Sequence, residues 1–192
     1  MEQSATTRLM TASLEKPIEE IQDFDRVVET YQAAIFRFVL ASLRDRDAAE
    51  TVTQDCFMRA YRHRNQFRGS ASVKTWLMQI AVNLVRDRAR NRRLQFWRRT
   101  QLSAVDAFEL NDSVATRDLS PELQAVLNQQ VRGIWQAAST LPEMQRTVFL
   151  LRFVEEMDLL EIADVLGVKE GTVKSHLFRA LNSIRERMRK SQ

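Results

Sequence analysis

Between Phe67 and Arg93 the chain reads FRGSASVKTWLMQIAVNLVRDRARNRR, a stretch rich in the side chains that grip phosphates and read exposed bases. Phe67, Arg68, Ser70 and Ser72 lie in a short Gly/Ser turn. From Val73 the apolar residues recur as Val73, Trp76, Leu77, Ile80, Ala81 and Leu84, the spacing of a helix with one buried face. At 3.6 residues per turn, Thr75, Gln79, Asn83, Arg86, Arg90 and Arg93 fall on another, largely polar stripe. An amide and three guanidiniums beside small polar groups suit a nucleic-acid strand. A solvated face on a core helix would look similar, so the reading depends on a second signal elsewhere in the chain.

That signal lies between Leu159 and Met188, LLEIADVLGVKEGTVKSHLFRALNSIRERM. A short helix from Leu159 to Leu166 carries apolar Leu159, Ile162, Ala163 and Leu166. Gly167 follows as a C-cap, because glycine reaches positive φ without penalty. The next helix starts near Gly171 or Thr172 and buries Val173, Leu177, Ala180, Leu181, Ile184 and Met188. Gly171, Ser175, Phe178, Arg179 and Asn182 point the other way. This is the layout of a helix-turn-helix, whose second helix places its N-terminal part in a major groove. Phe178 stands out, since an aromatic on a polar face needs a cover, and a thymine methyl is one. With Lys174, Ser175 and Arg179 beside it, the pattern points to DNA.

The elements that would position these residues can be read in outline. The chain has 192 residues, 4 Gly, 3 Pro and 44% apolar residues, which indicates an all-α protein with few turns. Residues 1–20 form a polar tail expected to be flexible. A helix over about 23–43 would bury Phe24, Val27, Val28, Tyr31, Ile35 and Phe38. A second, over about 47–65, would use Val52, Cys56, Phe57 and Ala60, with Asp45 or Asp47 as N-cap. The Val73 helix completes a first domain, 21–98. Ser120 and Pro121 mark a new helix start, burying Leu123, Val126, Leu127, Val131, Ile134 and Ala138. Pro142 opens another helix that buries Val148, Phe149 and Leu151. A second domain then runs over 120–190. Residues 99–119 lack periodicity and could span roughly 70 Å if extended, so they read as a flexible linker.

Net charge is only +4, but it is segregated. From Arg86 to Arg99 there are seven Arg and one Asp, and from Lys169 to Lys190 seven Lys or Arg and two Glu. From Gln101 to Gln130, Asp106, Glu109, Asp112, Asp118 and Glu122 stand against Arg117 alone, which makes the linker acidic. Cys56 is the single cysteine, so no internal disulfide forms, and a small buried apolar role is expected for it. His63 and His176 lack partners at ligand spacing, so no metal is expected. No phosphate-binding Gly loop, nucleophile elbow or carboxylate cluster is present, so neither a catalytic residue nor a cofactor is predicted, and the chain reads as a non-enzyme. The longest uncharged run, Thr75 to Val85, is too short to insert in a membrane. Residues 1–20 carry no secretion signal, and a cytoplasmic location follows as an expectation.

With two nucleic-acid modules and an acidic tether on the page, the chain resembles the extracytoplasmic-function sigma factors of the sigma-70 superfamily over about residues 23–188. Asp47-Ala48-Ala49-Glu50, Gln54-Asp55 and Phe57 are similar to that family's polymerase-clamp helix. Phe67-Arg68-Gly69, Lys74-Thr75-Trp76-Leu77 and Ile80-Ala81-Val82-Asn83 are similar to its promoter-melting segment. Leu141-Pro142, Glu161-Ile162-Ala163, Leu166-Gly167 and Gly171-Thr172-Val173-Lys174-Ser175 resemble its promoter-reading domain.

The resemblance implies two small helical domains, the first binding core RNA polymerase and the −10 element, the second reading the −35 element. Polymerase binding, on the clamp helices of the largest subunit, would fall to Glu50, Gln54, Asp55 and Arg59, with a further contact to the flap of the second largest subunit. The −10 set would be Phe67, Arg68, Ser70, Ser72, Lys74, Thr75, Trp76, Asn83, Arg86 and Arg90. There the loop and Asn83 hold an extruded base while Arg86 and Arg90 hold phosphates. Trp76 is either a wedge at the melting fork or a core residue, and Asn83 either reads the base or shapes its own loop. The −35 set would be Lys174, Ser175, Phe178 and Arg179, with Thr172 and His176 near the backbone. The acidic linker would thread the template and RNA-exit path, and an anti-sigma factor is an implied partner. Met157 and Asp158 replace a small or glycine-like residue, which alters a turn, and Lys169 and His176 stand where Ser or Pro and Arg are commoner. A stand-alone helix-turn-helix regulator is the competing assignment; it would bind DNA without core polymerase.

Overall fold

The computed structural model describes the backbone of residues 21–98 and 121–190 and the side chains of residues 21–90 and 130–190. The expected tail, 1–20, and linker, 99–119, lie outside the described residues, as does the N-cap assigned to Ser120. The described elements are all helical: α1 (Phe24–Leu43), α2 (Arg46–His63), a single 3₁₀ turn (Arg64–Gln66), α3 (Val73–Arg98), α4 (Pro121–Ser139), α5 (Glu143–Phe153), α6 (Leu159–Leu166) and α7 (Glu170–Lys190). They form two compact units, one built on α1–α3 and one comprising α4, α5, α7 and α6 as far as Ala163. No described helix is long and apolar enough to cross a membrane.

In the first unit, Asp23 caps α1 by accepting the Arg26 N–H at 3.2 Å. The helix buries Val27, Ile35, Phe38 and Val39 and stops at Arg44, whose φ of 55° is left-handed and whose N–H returns to the Leu40 carbonyl at 2.8 Å. The next residue, Asp45, is extended and accepts the Ala48 N–H at 3.0 Å, so it and not Asp47 caps α2. Small residues on the inner face of α2, Ala48, Ala49, Cys56 and Ala60, are all buried and let its neighbours approach closely. The Cys56 thiol lies 3.5 Å from the Leu77 carbonyl oxygen; burial pushes its pKa up to about 12, against a smaller downward pull from Arg59. It is a protonated core residue at neutral pH.

α3 packs on both α1 and α2. Two neighbours bury a wide arc, and that corrects the expected face: Val73, Leu77, Ala81 and Leu84 are buried, but so are Met78, Val82 and Val85. Trp76 and Ile80, read as core positions, are half-buried at its edge.

In the second unit α4 and α5 pack on α7. Gly133 of α4 sits against α7 so closely that a Cβ there would lie 2.9 Å from the Met188 sulfur. Ile134, expected in the core, is 37% exposed. Of the other residues expected to be buried on α4, Ala138 is buried and Val131 half-buried, while the side chains of Leu123, Val126 and Leu127 lie outside those described.

The α5–α6 connection turns just before the two residues that stand in place of a small or glycine-like one. Its left-handed residue is Glu156, with φ 55°, one position before Met157 and Asp158. Met157 is a core residue, and its carbonyl accepts Arg152 Nη1 at 2.9 Å. Asp158 and Glu161 cap α6 reciprocally: Asp158 Oδ1 accepts the Glu161 N–H at 2.8 Å, and Glu161 Oε2 accepts the Asp158 N–H at 2.9 Å. A β-carbon at positive φ costs about 1 kcal/mol, partly offset in a glycine variant by the greater freedom of its unfolded chain. Glu156→Gly should therefore raise the stability of this unit by about 0.5 kcal/mol, read as a small upward shift of its urea midpoint with unchanged slope.

Candidate nucleic-acid interface

The loop before α3 is set by three features. The Phe67 N–H closes the 3₁₀ turn on the Arg64 carbonyl at 3.2 Å. Gly69 then takes φ 68° with its backbone buried, a conformation that would strain any side chain. Ser72 caps α3: its Oγ accepts the Thr75 N–H at 3.0 Å and lies 2.8 Å from Thr75 Oγ1. Thr75, placed on the polar stripe by spacing, is therefore turned inward and only 4% exposed; the cap outcompetes solvent for its hydroxyl.

Across this cap the Phe67 and Trp76 rings meet with centroids 5.2 Å apart and planes at 45°, both half-buried. They form an aromatic ledge at the start of the outward face of α3. Gln79, Asn83 and Arg90 are exposed along that face, with Arg86 half-buried. Asn83 stands about two turns beyond Trp76, on nearly the same helical bearing. Arg90 is drawn toward Asp87, Nη2 to Oδ1 at 3.2 Å. Arg68 and Ser70 are exposed in the loop, and Lys74 is half-buried. The structure thus brings Phe67, Trp76, Asn83, Arg86 and Arg90 to one side of α3 and assigns Thr75 and Ser72 to the cap. The side chain of Arg93 lies outside those described.

On α2, Glu50, Gln54, Asp55 and Arg59 are all exposed. Glu50 is paired with Arg46 at 3.2 Å. Glu50 and Gln54 share a stripe with two residues that periodicity passed over, Met58 and Tyr61, exposed by 53% and 50%. Asp55 and Arg59 lie toward one flank of that stripe. Arg64 stacks on Tyr61, its guanidinium carbon 3.8 Å from the ring centroid, and Phe24 meets the same ring edge-on at 5.2 Å. A rigid aromatic and a thioether ringed by polar groups form the pattern of an interface anchor. Met58 follows Gln54 by four residues, and that spacing was the signal in the sequence.

Gly167 ends α6 at φ 64°, with the Val168 N–H on the Ala163 carbonyl at 3.0 Å, as its C-cap role required. α7 begins at Glu170, slightly before the expected start. Thr172, Lys174, Ser175, Phe178 and Arg179 are exposed, Phe178 by 67%. Ser175 spends its hydroxyl proton on the Gly171 carbonyl at 2.9 Å, leaving its oxygen able to accept. His176 turns inward and is half-buried, and its Nδ1 has no hydrogen-bond partner among the described residues.

Comparison with known proteins matches these two units separately. The family model for sigma-70 region 2 matches residues 27–95, and the model for sigma-70 region 4 matches residues 132–184. The chain is 30% identical to the ECF RNA polymerase sigma-E factor of Escherichia coli K12, over 96% of this chain and 95% of that one. It is 26% identical to the ECF sigma factor SigW of Bacillus subtilis, over 94% of this chain and 99% of the other. Among solved structures, the sigma factor RpoE of Bartonella quintana, in complex with the anti-sigma factor NepR, has a TM-score of 0.70 at 22% identity, covering 89% of this chain and 99% of that one. CnrH, in complex with the cytosolic domain of CnrY, has a TM-score of 0.63.

The two loop serines should separate cleanly in stability. Ser72→Ala removes the cap and should cost about 1 kcal/mol in thermal melting, whereas Ser70→Ala should stay within about 0.5 kcal/mol.

Proposed function

We propose, from the premise that this chain belongs to the ECF sigma factors of the sigma-70 family and directs transcription initiation, that α2 docks it on core RNA polymerase, α3 opens the −10 element and α7 reads the −35 element. The stand-alone regulator is not favoured, since the family match extends over residues 27–95 of the first unit.

The observation that carries the −10 assignment is the outward face of α3, where the Phe67–Trp76 ledge, the Asn83 amide and Arg90 follow one another along a single exposed stripe. Extruding a base costs a few kcal/mol in unstacking, which a preformed aromatic surface and an amide offering both donor and acceptor can offset. Arg86 and Arg90 hold flanking phosphates. The half-buried Trp76 supports both of its roles: the inner part of the ring packs on Phe67 and the remainder faces the strand. On α7, Phe178 covers a thymine methyl while Lys174, Ser175 and Arg179 contact base edges. On α2, Met58 and Tyr61 insert as anchors into the polymerase clamp, with Glu50 and Gln54 as their polar rim and Asp55 and Arg59 at the flank.

The site of action is the cytoplasm. An anti-sigma factor belongs to the same proposal, on the analogy of the two fold neighbours solved with NepR and with the cytosolic domain of CnrY.

Asn83→Ala should leave assembly with core polymerase intact and lower promoter opening about tenfold or more, consistent with the loss of one bidentate base contact. Permanganate reactivity of −10 thymines on a supercoiled promoter measures this, and normal opening with unchanged −10 preference would remove Asn83 from the pocket. Met58→Glu should reduce capture of core polymerase by about tenfold with little change in melting temperature. Wild-type capture would move the docking surface away from this stripe.

A further inference from the structure

The first residue of α7 is an acid on a helix whose proposed task is to approach a polyanion. Glu170 follows Lys169, whose carbonyl accepts the Thr172 and Val173 N–H groups at 2.9 and 3.3 Å, so its side chain leaves from the first helical turn. Glu170 Oε1 lies 2.7 Å from Lys174 Nζ, and both side chains remain partly exposed. Between Glu170 and Arg179 the cations are Lys174 and Arg179 and the only anion is Glu170. The pair therefore engages one of the three cations, Lys169, Lys174 and Arg179, at the leading edge of this helix. A carboxylate near a helix N-terminus also favours the macrodipole, so a purely structural role has to be separated experimentally.

We propose that Glu170 is a positioning and specificity-determining residue for −35 reading, holding the Lys174 ammonium at a fixed place and denying it to phosphates. This rests on the assignment of α7 as the −35 helix. An ammonium has three protons. With one on Glu170, two remain for acceptors such as guanine O6 and N7. The carboxylate can meanwhile accept from the exocyclic amine of an adjacent cytosine or adenine. A base step offering both groups keeps the pair intact and satisfies it. Binding Lys174 to a backbone phosphate instead means breaking the pair or bringing a carboxylate against phosphates, and both penalise generic DNA. The device is a repulsive element that separates right from wrong sequences more than it strengthens the right one.

The test uses the full chain assembled with core polymerase, a duplex carrying the preferred −35 element and a panel with each base substituted. For Glu170→Gln, binding to the substituted duplexes should tighten, discrimination should fall roughly two- to fivefold, and the salt dependence should steepen by up to about one unit of slope. In the double variant Glu170→Gln/Lys174→Gln, the extra affinity and the extra slope should vanish. Unchanged discrimination and slope in Glu170→Gln would overturn the proposal, as would a gain that persists in the double variant, since the effect would then not pass through Lys174. A merely structural carboxylate would move the melting temperature and leave the slope alone. Arg179→Ala and Lys174→Gln serve as independent controls. If neither alters −35 binding, the assignment of α7 itself fails; if both do and Glu170→Gln is silent, only the role of Glu170 is lost.

Discussion

The first unit depends on how α3 is seated. One helix has to present a wide apolar arc to both α1 and α2 and keep a narrow stripe facing outward. Burying a single side chain such as Leu77 contributes about 2 kcal/mol, so seven buried positions fix the rotation of the helix more firmly than any polar contact can. That rotation decides which residues face outward. The Ser72 cap and the left-handed Gly69 then set where the helix starts, and with it the height of the Phe67–Trp76 ledge. Precision at Asn83 is thus inherited from the core and not built at the site.

The second unit solves a similar problem with turns. The α5–α6 and α6–α7 connections are closed by left-handed residues, Glu156 and Gly167, and α6 is locked between them by the Asp158–Glu161 box. A helix as short as α6 has little stability of its own. Its place comes from caps at both ends and from Ile162 and Ala163 in the core. Gly133 lets α4 lie against Met188 near the far end of α7, and α5 packs on the same helix. Phe178 stands exposed on the same helix, a large apolar side chain left outside the core.

Much of this was legible from spacing and punctuation. The bounds of α6, the start of α3 at Val73 and the role of Gly167 follow from apolar period, small-residue turns and positive φ, all local properties. What escaped depends on tertiary competition. Thr75 looks outward on a helical wheel, yet a neighbouring serine recruits its hydroxyl. Met78, Val82 and Val85 are buried because α3 touches two helices, while a wheel drawn for one partner leaves them at the margin. Met58 and Tyr61 were missed for the opposite reason: the spacing that puts Met58 on the Gln54 stripe is in the sequence, but the fold shows how much of both side chains is left outside the core. The left-handed residue at 156 went unassigned because glutamate carries no signal for positive φ.

A common electrostatic pattern runs through these surfaces. Arg46, Arg90 and Lys174, one from each proposed working helix, pair with an acid three or four residues away: Glu50, Asp87 and Glu170. Exposed pairs of this kind add little to stability. Their consequence lies in binding. For Arg90 and Lys174, the two on the proposed DNA-facing helices, approach to a phosphate means giving up, or carrying along, a negative charge, so the gain from counterion release is smaller than the basic blocks in the sequence suggest. For two small units, weak generic attraction leaves discrimination to contacts that satisfy both members of a pair, and sustained engagement to the tethering of the units in one chain and their joint docking on a larger partner.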